Sequence, residues 1–309
     1  MTAALRVPRD LIHRASDQEV LVSAPWRTAE STYRNTVVTA GISGYYLDHP
    51  VTCRADLLLL TEACRQAAIS VLHQFEGLPL DTALFINSIE AEICDVRALV
   101  NPRREITITT LTGQMRLRAD GSPKKISCTQ LGHAGPGRAA IRTVMTVQGV
   151  PKQRYPELRA YQRDGSVPPT TAGLRAAWLR RDGLSAPAAV GRTQLANVML
   201  AGLRIQAGQS SAALAPDFAN PSLFDHDYDH YPAMVLLEAG RQLALAGTRN
   251  PSRRIATRAH AQFLHFAELD RPVTFRARCQ GNRTEMECLQ NDVAVTRMCF
   301  DLEPVGGAA

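Results

Sequence analysis

The feature that most constrains this chain is a short apolar helical segment that occurs twice. The pattern Glu-Ala-x-Arg-Gln spans Glu62–Gln66 and again Glu238–Gln242, and an Asp-His dipeptide stands before each copy. Aligning the copies shifts the sequence by 176 residues, and other features then agree within one or two positions, such as 48–49 with 225–226 and 12–14 with 190–192. Similarities that keep their order along a chain indicate a tandem duplication.

The length of the chain agrees with a duplication. A chain of 309 residues holds two units of about 150 residues, which is a common domain size. We expect a first repeat at 1–160, a linker at 161–187 where Gly, Pro, Thr and Arg are mixed, and a second repeat at 188–309. With 45% apolar and 21% charged residues, the composition is that of an ordinary globular protein.

Cysteine usage and charge narrow the class of protein further. The seven cysteines are odd in number and never form Cys-x-x-Cys, so neither a disulfide framework nor a zinc knuckle is indicated. No apolar leader stands at the start and no run approaches the roughly 18 apolar residues of a spanning helix, so we expect a cytoplasmic protein that does not enter membranes. A net charge of +6 suits an anionic partner. The basic residues are dispersed without a nucleic-acid-binding motif, so we expect no nucleic-acid binding.

Each repeat is predicted to combine one central helix with an antiparallel sheet, which is an α+β fold. Helices at 57–73 and 233–246 are apolar nearly all round, as is typical of a helix buried against a sheet. Each helix is expected to precede its strands, although strand-like segments at 19–22 and 197–200 come before it. The predicted strands are 84–93, 105–117, 125–131 and 140–148, then 254–266, 273–280, 284–289 and 294–302.

One segment of the second repeat carries a resemblance to a known family. From Leu223 to Gln242 the chain contains Phe-Asp-His, then Asp-His-x-Pro, then Leu-Glu-Ala-x-Arg-Gln. This order resembles the A-factor synthase (AfsA) family of γ-butyrolactone biosynthesis, and the residues at 12–14, 19–21 and 56–66 resemble the other repeat of that family. The segment is also distantly similar to hotdog-fold dehydratases that act on acyl carrier protein thioesters.

The resemblance implies a fold and a reaction. The fold is a double hotdog, in which each repeat wraps an antiparallel sheet around a central helix. The reaction is an acyl transfer that joins a β-ketoacyl group, delivered as an acyl carrier protein thioester, to the hydroxyl of dihydroxyacetone phosphate. The resulting ester closes to a butenolide phosphate, from which γ-butyrolactone signalling molecules are made.

The charged residues of the helices are the first candidates for catalysis. Glu238 and Arg241 are three residues apart and share a helix face, as do Glu62 and Arg65. A structural ion pair is the alternative interpretation, but a charge in an apolar helix is costly to bury, and here it occurs in both copies. We expect Glu238 or His226 to be the general base, with Glu62 as a further catalytic residue. A carboxylate in an apolar pocket is expected to have a raised pKa.

The remaining roles follow from what acyl transfer to a phosphorylated alcohol requires. Arg241 and Arg65 offer the forked guanidinium that suits a substrate phosphate. The backbone N–H groups of Ala233 and Met234, at the start of the helix, are expected to stabilise the oxyanion. Asp229 is either catalytic or an acceptor near the helix start. Ala233 stands where the family usually has Gly, which puts the oxyanion geometry in question.

Several other interpretations are open or disfavoured. The acidic and histidine residues at 225–230 look like metal ligands, but Pro232 makes this stretch a loop, and we expect neither a metal ion nor another cofactor. The turn at 53–56 lacks the Pro of the second repeat, so we expect the second repeat to dominate catalysis. A hotdog thioesterase or dehydratase, and a binding protein that has lost catalysis, are the alternative functions. A homo-oligomer is compatible with the sequence.

Overall fold

The structure is a computed structural model that describes residues 5–38, 40–50, 56–100, 105–135, 137–175 and 182–305. These residues form two compact units. The first contains the chain up to Ser43 together with Leu59–Val167, and the second contains Gly44–Leu58 together with the chain from Pro168 onward. A segment that precedes the helix of the first repeat therefore belongs to the second unit, which the repeat boundaries do not predict.

The first unit is an antiparallel sheet with one long helix. Its sheet has the strand order β1-β2-β4-β6-β7-β3, and the short β5 pairs with β6. The elements up to residue 162 are β1 (Trp26–Ala29), β2 (Thr32–Thr36), α1 (Leu57–Phe75), β3 (Thr82–Ile93), α2 (Val96–Val100), β4 (Thr107–Thr112), β5 (Arg116–Leu117), β6 (Pro123–His133), β7 (Ile141–Pro151) and α3 (Tyr155–Gln162).

The second unit repeats this arrangement. Its strands have the order β8-β9-β11-β12-β13-β10 and are all antiparallel to their neighbours. The elements are α4 (Thr171–Leu174), β8 (Leu200–Gln206), β9 (Gln209–Leu214), α5 (Ala233–Ala246), β10 (Arg254–Phe263), β11 (Thr274–Gln280), β12 (Arg283–Gln290) and β13 (Val293–Pro304). Each strand of the second sheet therefore has a counterpart at the same place in the first sheet, as a duplication requires.

The predicted order of elements is wrong in one respect. In each unit two strands precede the long helix, namely β1 and β2 or β8 and β9. The strand-like segments at 19–22 and 197–200 each begin at the last residue of a 3₁₀ turn, Asp17–Glu19 and Leu195–Asn197, and the second segment ends at the first residue of β8. All four residues of β1 are exposed, so its sequence lacks the alternation of a half-buried strand.

The two long helices form the centres of the cores. Every residue of α5 from Val235 to Ala246 is buried, and α5 packs on the strands of its own sheet. In the first unit, Ala68 and Leu72 of α1 pack with Ile126 and Cys128 of β6. The predicted bounds of α5 are confirmed and those of α1 are extended by two residues. Among the residues that the structure describes, no helix combines the length and apolar character that crossing a bilayer demands.

One glycine sets the distance between helix and sheet in the second unit. A Cβ added at Gly240 would overlap the Sδ atom of Met298 and lie 3.1 Å from Cε2 of Phe300, both on β13. Glycine therefore lets α5 approach β13 closely. The aligned residue of α1 is Cys64, which is fully buried.

Candidate active site

Glu238 lies at the centre of a buried network, and none of its side chain is exposed. Its Oε1 accepts hydrogen bonds from Nε of Arg192 at 2.9 Å, Nη2 of Arg241 at 2.9 Å and Nε2 of Gln242 at 2.6 Å. Its Oε2 accepts a bond from Nε of Arg241 at 2.7 Å. Two guanidinium groups therefore flank one carboxylate, and both carboxylate oxygens are occupied.

The predicted raised pKa of Glu238 is wrong. Burial alone would raise the pKa, but the positive charges of Arg192 and Arg241, with the hydrogen bonds from Arg241 and Gln242, lower it below the ordinary value. The carboxylate is held ionised because its charged form receives the bonds. A carboxylate stabilised in this way takes up a proton poorly, so Glu238 is unsuited to act as a general base near neutral pH.

Glu62 has the same surroundings in the first unit. Its Oε1 accepts bonds from Nη2 of Arg14 at 2.6 Å, Nη2 of Arg65 at 2.7 Å and Nε2 of Gln66 at 2.8 Å, and its Oε2 accepts Nε of Arg65 at 2.8 Å. Burial opposes ionisation, but the charges of Arg14 and Arg65 lower the pKa of Glu62 to about 2. Glu62, like Glu238, is therefore unsuited to take up a proton as a general base near neutral pH.

The glutamine of each motif fastens its helix to an earlier segment of the chain. Gln66 accepts a bond from the N–H of Leu21 at 2.8 Å and donates one to the carbonyl of Glu19 at 2.7 Å. Gln242 makes the same pair of bonds with the backbone of residues 199 and 197, at 2.9 and 2.8 Å. We call each set of four side chains a clasp: Arg14, Glu62, Arg65 and Gln66 in the first unit, and Arg192, Glu238, Arg241 and Gln242 in the second.

Sequence reasoning missed one member of each clasp. Arg14 and Arg192 come from segments far from the helices, 48 and 46 residues before the glutamates that they bind. The signal that could have found them is the alignment of 12–14 with 190–192, which places one arginine opposite the other. The repeated Glu-Ala-x-Arg-Gln motif thus ties the preceding segment to the helix in both units, which is the structural interpretation of the ion pair.

Arg192 also connects the clasp of the second unit to the segment 44–58. Its Nη1 donates to the carbonyls of Tyr45 at 2.7 Å and Asp48 at 2.8 Å, and its Cζ lies 4.5 Å from the centre of the Tyr45 ring. The carboxylate of Asp48 accepts bonds from the N–H and hydroxyl of Thr193 and, at 2.7 Å, from Nδ2 of Asn197. The Asp of the first Asp-His dipeptide is therefore a structural acceptor inside the second unit.

The second Asp-His dipeptide has a different arrangement. Nδ1 of His226 lies 2.7 Å from Oδ1 of Asp225, and the hydroxyl of Tyr228 donates to the same oxygen at 3.1 Å. The Asp225 side chain is fully buried, whereas the His226 side chain is 42% exposed, and among the described residues none bonds its Nε2. When Nδ1 donates to a carboxylate, Nε2 of the neutral ring is the acceptor. The geometry therefore presents an oriented imidazole with its basic nitrogen available.

A second Asp-His pair follows four residues later. Nδ1 of His230 lies 2.6 Å from Oδ1 of Asp229, and the His230 ring packs edge-on against Phe266 with 4.6 Å between ring centres. Both side chains are partly buried. Asp229 thus pairs with a histidine, while the N-cap residue before α5, Pro232, provides no side-chain cap.

The start of α5 leaves two backbone donors unused. The carbonyl of Pro232 accepts bonds from the N–H groups of Val235 and Leu236, and no described residue bonds the N–H of Ala233 or Met234. Both are partly exposed. Ala233 is not among the residues with positive φ, so its place in the family's glycine position imposes no backbone strain. Free N–H groups at a helix start are suited to an oxyanion.

A short connection holds the loop at 225–230 in place. Oδ1 of Asp227 accepts bonds from the hydroxyl of Thr171 at 2.8 Å and the N–H of Ala172 at 2.7 Å. The N–H of Thr171 in turn donates to the carbonyl of Tyr228 at 2.8 Å. Burial opposes ionisation of Asp227, but the bonds from Ala172 and Thr171 lower its pKa. In the part of the chain that the structure describes, no three His, Cys, Asp or Glu residues are grouped as a metal site requires.

The predicted phosphate ligands are already engaged in the clasps. Arg241 and Arg65 each donate through Nε and Nη2 to the glutamate three residues earlier, and 5% and 14% of their side chains are exposed. Only the Nη1 edge of each guanidinium has no bond to a described residue. Phosphate binding by these arginines stays a prediction.

The structure thus separates the predicted site residues into groups. Glu62 and Arg65 lie in the first unit, and the other six lie in the second. Within the second unit, His226, Asp229, Ala233 and Met234 lie on one continuous stretch, whereas Glu238 and Arg241 form the clasp one to two turns further along α5. His226 bonds Asp225 and makes no bond to Glu238. Of the turn predicted at 53–56, only residue 56 is among the described residues.

Comparisons with known proteins agree with this architecture. Residues 2–151 and 184–299 match the A-factor biosynthesis hotdog domain. A protein of Streptomyces virginiae, 2-oxo-3-(phosphooxy)propyl 3-oxoalkanoate synthase, is 28% identical over 278 residues, covering 88% of this chain and 86% of that protein. A protein of the same name from Streptomyces coelicolor is 26% identical, covering 89% of this chain and 82% of that protein.

Two solved structures share the fold at low identity. The 12:0-ACP thioesterase from Umbellularia californica has a TM-score of 0.51 at 10% identity, covering 90% of this chain and 100% of that one. The dehydratase domain from the CurF module of curacin polyketide synthase has a TM-score of 0.50 at 11% identity, covering 92% and 98%. The predicted α+β hotdog fold is therefore confirmed.

Proposed function

Because the chain belongs to the A-factor biosynthesis hotdog family, we propose that it is an acyltransferase that esterifies dihydroxyacetone phosphate with a β-ketoacyl group. The acyl donor is the thioester of an acyl carrier protein. The name shared by its Streptomyces relatives describes an ester of a 3-oxoalkanoic acid with a phosphorylated oxopropyl group. The observation that carries the proposal is that the match to the family extends through both repeats.

His226 is the base in this reaction. Its Nε2 takes the proton from the hydroxyl of dihydroxyacetone phosphate while the hydroxyl oxygen attacks the thioester carbonyl carbon. The C–S bond then breaks, and the protonated imidazole returns the proton to the departing thiolate. Asp225 keeps the ring oriented through Nδ1 and stabilises its charged form, and Tyr228 holds Asp225 by a second bond.

The start of α5 stabilises the charge that develops on the carbonyl oxygen. The N–H groups of Ala233 and Met234 donate to this oxyanion, because they have no other partner among the described residues. The free Nη1 edge of Arg241 is the candidate contact for the phosphate in the second unit. Glu238 acts as a positioning residue, since it fixes Arg241 and the helix rather than taking a proton.

The ester then closes by condensation of its activated methylene carbon with the ketone of the dihydroxyacetone part. This step expels water and gives the butenolide phosphate. Such a product serves as a precursor of γ-butyrolactone signalling molecules.

A reconstituted reaction tests the proposal. The protein is incubated with a β-ketoacyl carrier-protein thioester and dihydroxyacetone phosphate, and the products are identified by mass spectrometry across several acyl chain lengths. We expect the ester or the butenolide phosphate. Reactions without dihydroxyacetone phosphate, and with the His226→Asn variant, are the controls.

Two outcomes would replace this function with another. Release of the free β-keto acid at a rate indifferent to dihydroxyacetone phosphate would identify a thioesterase. Tight binding of the acyl thioester without any product, at all chain lengths, would identify a binding protein that has lost catalysis.

A further inference from the structure

A depression on the second unit lies outside the site described above. It has a volume of about 550 Å³ and is lined by residues of strands β9 to β13. Arg276 and Arg278 of β11, Arg283 of β12 and Arg297 of β13 all line it. The proposed acyl transfer uses none of these four arginines.

Positive charge exceeds negative charge in this depression. Arg297 pairs with Glu287 at 3.0 Å, and Arg283 pairs with Glu285 at 3.0 Å, so these two arginines are neutralised by neighbours that also line the depression. Arg278 has no carboxylate partner among the described residues.

Arg276 is only weakly paired. Its nearest carboxylate, that of Asp292, is 3.7 Å away, and that side chain is 92% exposed. An exposed pair at this distance contributes little. Arg276 and Arg278, two residues apart on one strand and therefore on one face, are free to bind an outside anion.

The depression includes a residue near the end of β10, the strand that leads to the Asp-His loop. Gln262 lines it and stands one residue before the end of β10. In the segment that follows β10, Phe266 packs on the ring of His230. The carbonyl of Ala267 accepts a hydrogen bond from the N–H of Tyr231 at 2.9 Å. The strand that carries Gln262 therefore leads directly into the segment that contacts His230 and Tyr231 of the loop.

We propose that this arginine-lined depression is the docking surface for an acidic face of the acyl carrier protein. The inference rests on the proposed function, because that reaction needs a protein-bound acyl donor. Carboxylates of the partner would pair with Arg276 and Arg278, and such complementary charges mainly steer encounter and fix register. Among the described residues that line the depression, none is Phe, Tyr or Trp, so it offers no ring for base stacking and an acidic protein fits better than single-stranded nucleic acid.

The test compares two acyl donors and two variants. The double variant Arg276→Glu/Arg278→Glu is assayed with the carrier-bound thioester and with the same acyl group on a small free thiol. We expect KM for the carrier-bound donor to rise about tenfold or more, while kcat/KM for the free thioester keeps the parent's value. Arg204→Glu is the matched control, because Arg204 is exposed on β8 of the same sheet and does not line the depression.

Direct binding separates failure of the docking surface from failure of the function. Carrier-protein affinity, measured by fluorescence anisotropy, should fall in the double variant and with rising salt, even if no turnover is found with either donor. Unchanged affinity and KM, or an equal loss in Arg204→Glu, would overturn the proposal. It would equally be overturned if the double variant abolished binding of duplex DNA or RNA, or dissolved a homodimer, with carrier-protein affinity unchanged.

Discussion

The two repeats share a clasp and a strand order, and they differ in the Asp-His segment that precedes the long helix. In both units two arginines and a glutamine hold one buried glutamate. Before α5, however, Asp225 orients His226. The carboxylate of Asp48, in the first Asp-His dipeptide, instead accepts hydrogen bonds from Thr193 and Asn197. The comparison indicates that the duplicated clasp maintains the fold in both units, while the oriented His226 before α5, which has no such counterpart, is the residue that we propose as the base.

The largest expected effect concerns the two histidines. His226→Asn should lower kcat by about 10²- to 10⁴-fold, because it removes the proposed base. The free energy of unfolding should change little, since the side chain is 42% exposed. His49→Asn is the matched control in the other dipeptide and should keep the parent's turnover. Equal loss of activity in both variants, measured with the carrier-bound donor, would show that the two dipeptides are not functionally different.

The clasps should respond alike to loss of their charge. Glu62→Gln and Glu238→Gln each leave two buried arginines without their anion, so each should lower the free energy of unfolding by about 3–5 kcal/mol. Glu287→Gln, in an exposed pair with Arg297 at 3.0 Å, should cost less than about 1 kcal/mol. Denaturant titrations measure all three. If Glu238→Gln lost turnover at unchanged stability, the second clasp would be catalytic, and the conclusion that both clasps are structural would be wrong.

Acid should weaken both clasps. The pKa of Glu62 is lowered from 4.5 to about 2 in the folded protein, so its contribution is complete above about pH 4.5 and is lost as the pH falls through 2. Linkage gives a loss of the order of 3 kcal/mol for this one group. The pKa of Glu238 is shifted in the same direction. Unfolding free energies measured from about pH 6 down to about pH 3 should fall less steeply in Glu62→Gln than in the parent; an identical slope would contradict the assignment.

The smallest effect concerns the contact between helix and sheet. Gly240→Ala should cost about 1–3 kcal/mol by crowding Met298 and Phe300, which exceeds the roughly 1 kcal/mol gained in helix propensity. Cys64→Ala, at the aligned position of α1, removes an atom instead of adding one and should produce no overlap. Thermal unfolding compares the two variants. A Gly240→Ala variant more stable than the parent would show that α5 does not approach β13 as described.

Much of the fold could be predicted from the sequence because its main elements are long and periodic. The helix at Ala233–Ala246 and the strands of both sheets after the helices follow from apolar patterns. The strands β1, β2, β8 and β9 were not predicted, and of these only β1 and β2 are very short, with four and five residues. The first of them, Trp26–Ala29, is wholly exposed, so no burial shapes its residues. β1 pairs with the adjacent β2, and β8 with the adjacent β9, but β2 and β9 also pair with β4 and β11, which follow the long helices, and local patterns do not report these distant partners.

The candidate site was predictable in its location but not in its roles. The duplicated motif and the Asp-His loop were visible in the sequence, yet the pKa of Glu238 depends on Arg192, which lies 46 residues away. Burial alone predicts a raised pKa, but the charges of Arg192 and Arg241 and the hydrogen bonds from Arg241 and Gln242 lower it, so the sign of the prediction was wrong. Which histidine nitrogen is available depends likewise on the bond from Nδ1 to Asp225.

The segment Gly44–Leu58 has a consequence for how this chain can evolve. It is encoded in the first half of the gene, yet it supplies the carbonyls that hold Arg192 and the carboxylate that closes on Thr193. A gene fragment beginning at residue 168 would encode a second repeat without these bonds. Deleting the first repeat would therefore remove hydrogen bonds that the second repeat needs. The two repeats cannot be separated at the boundary between them without loss to the second.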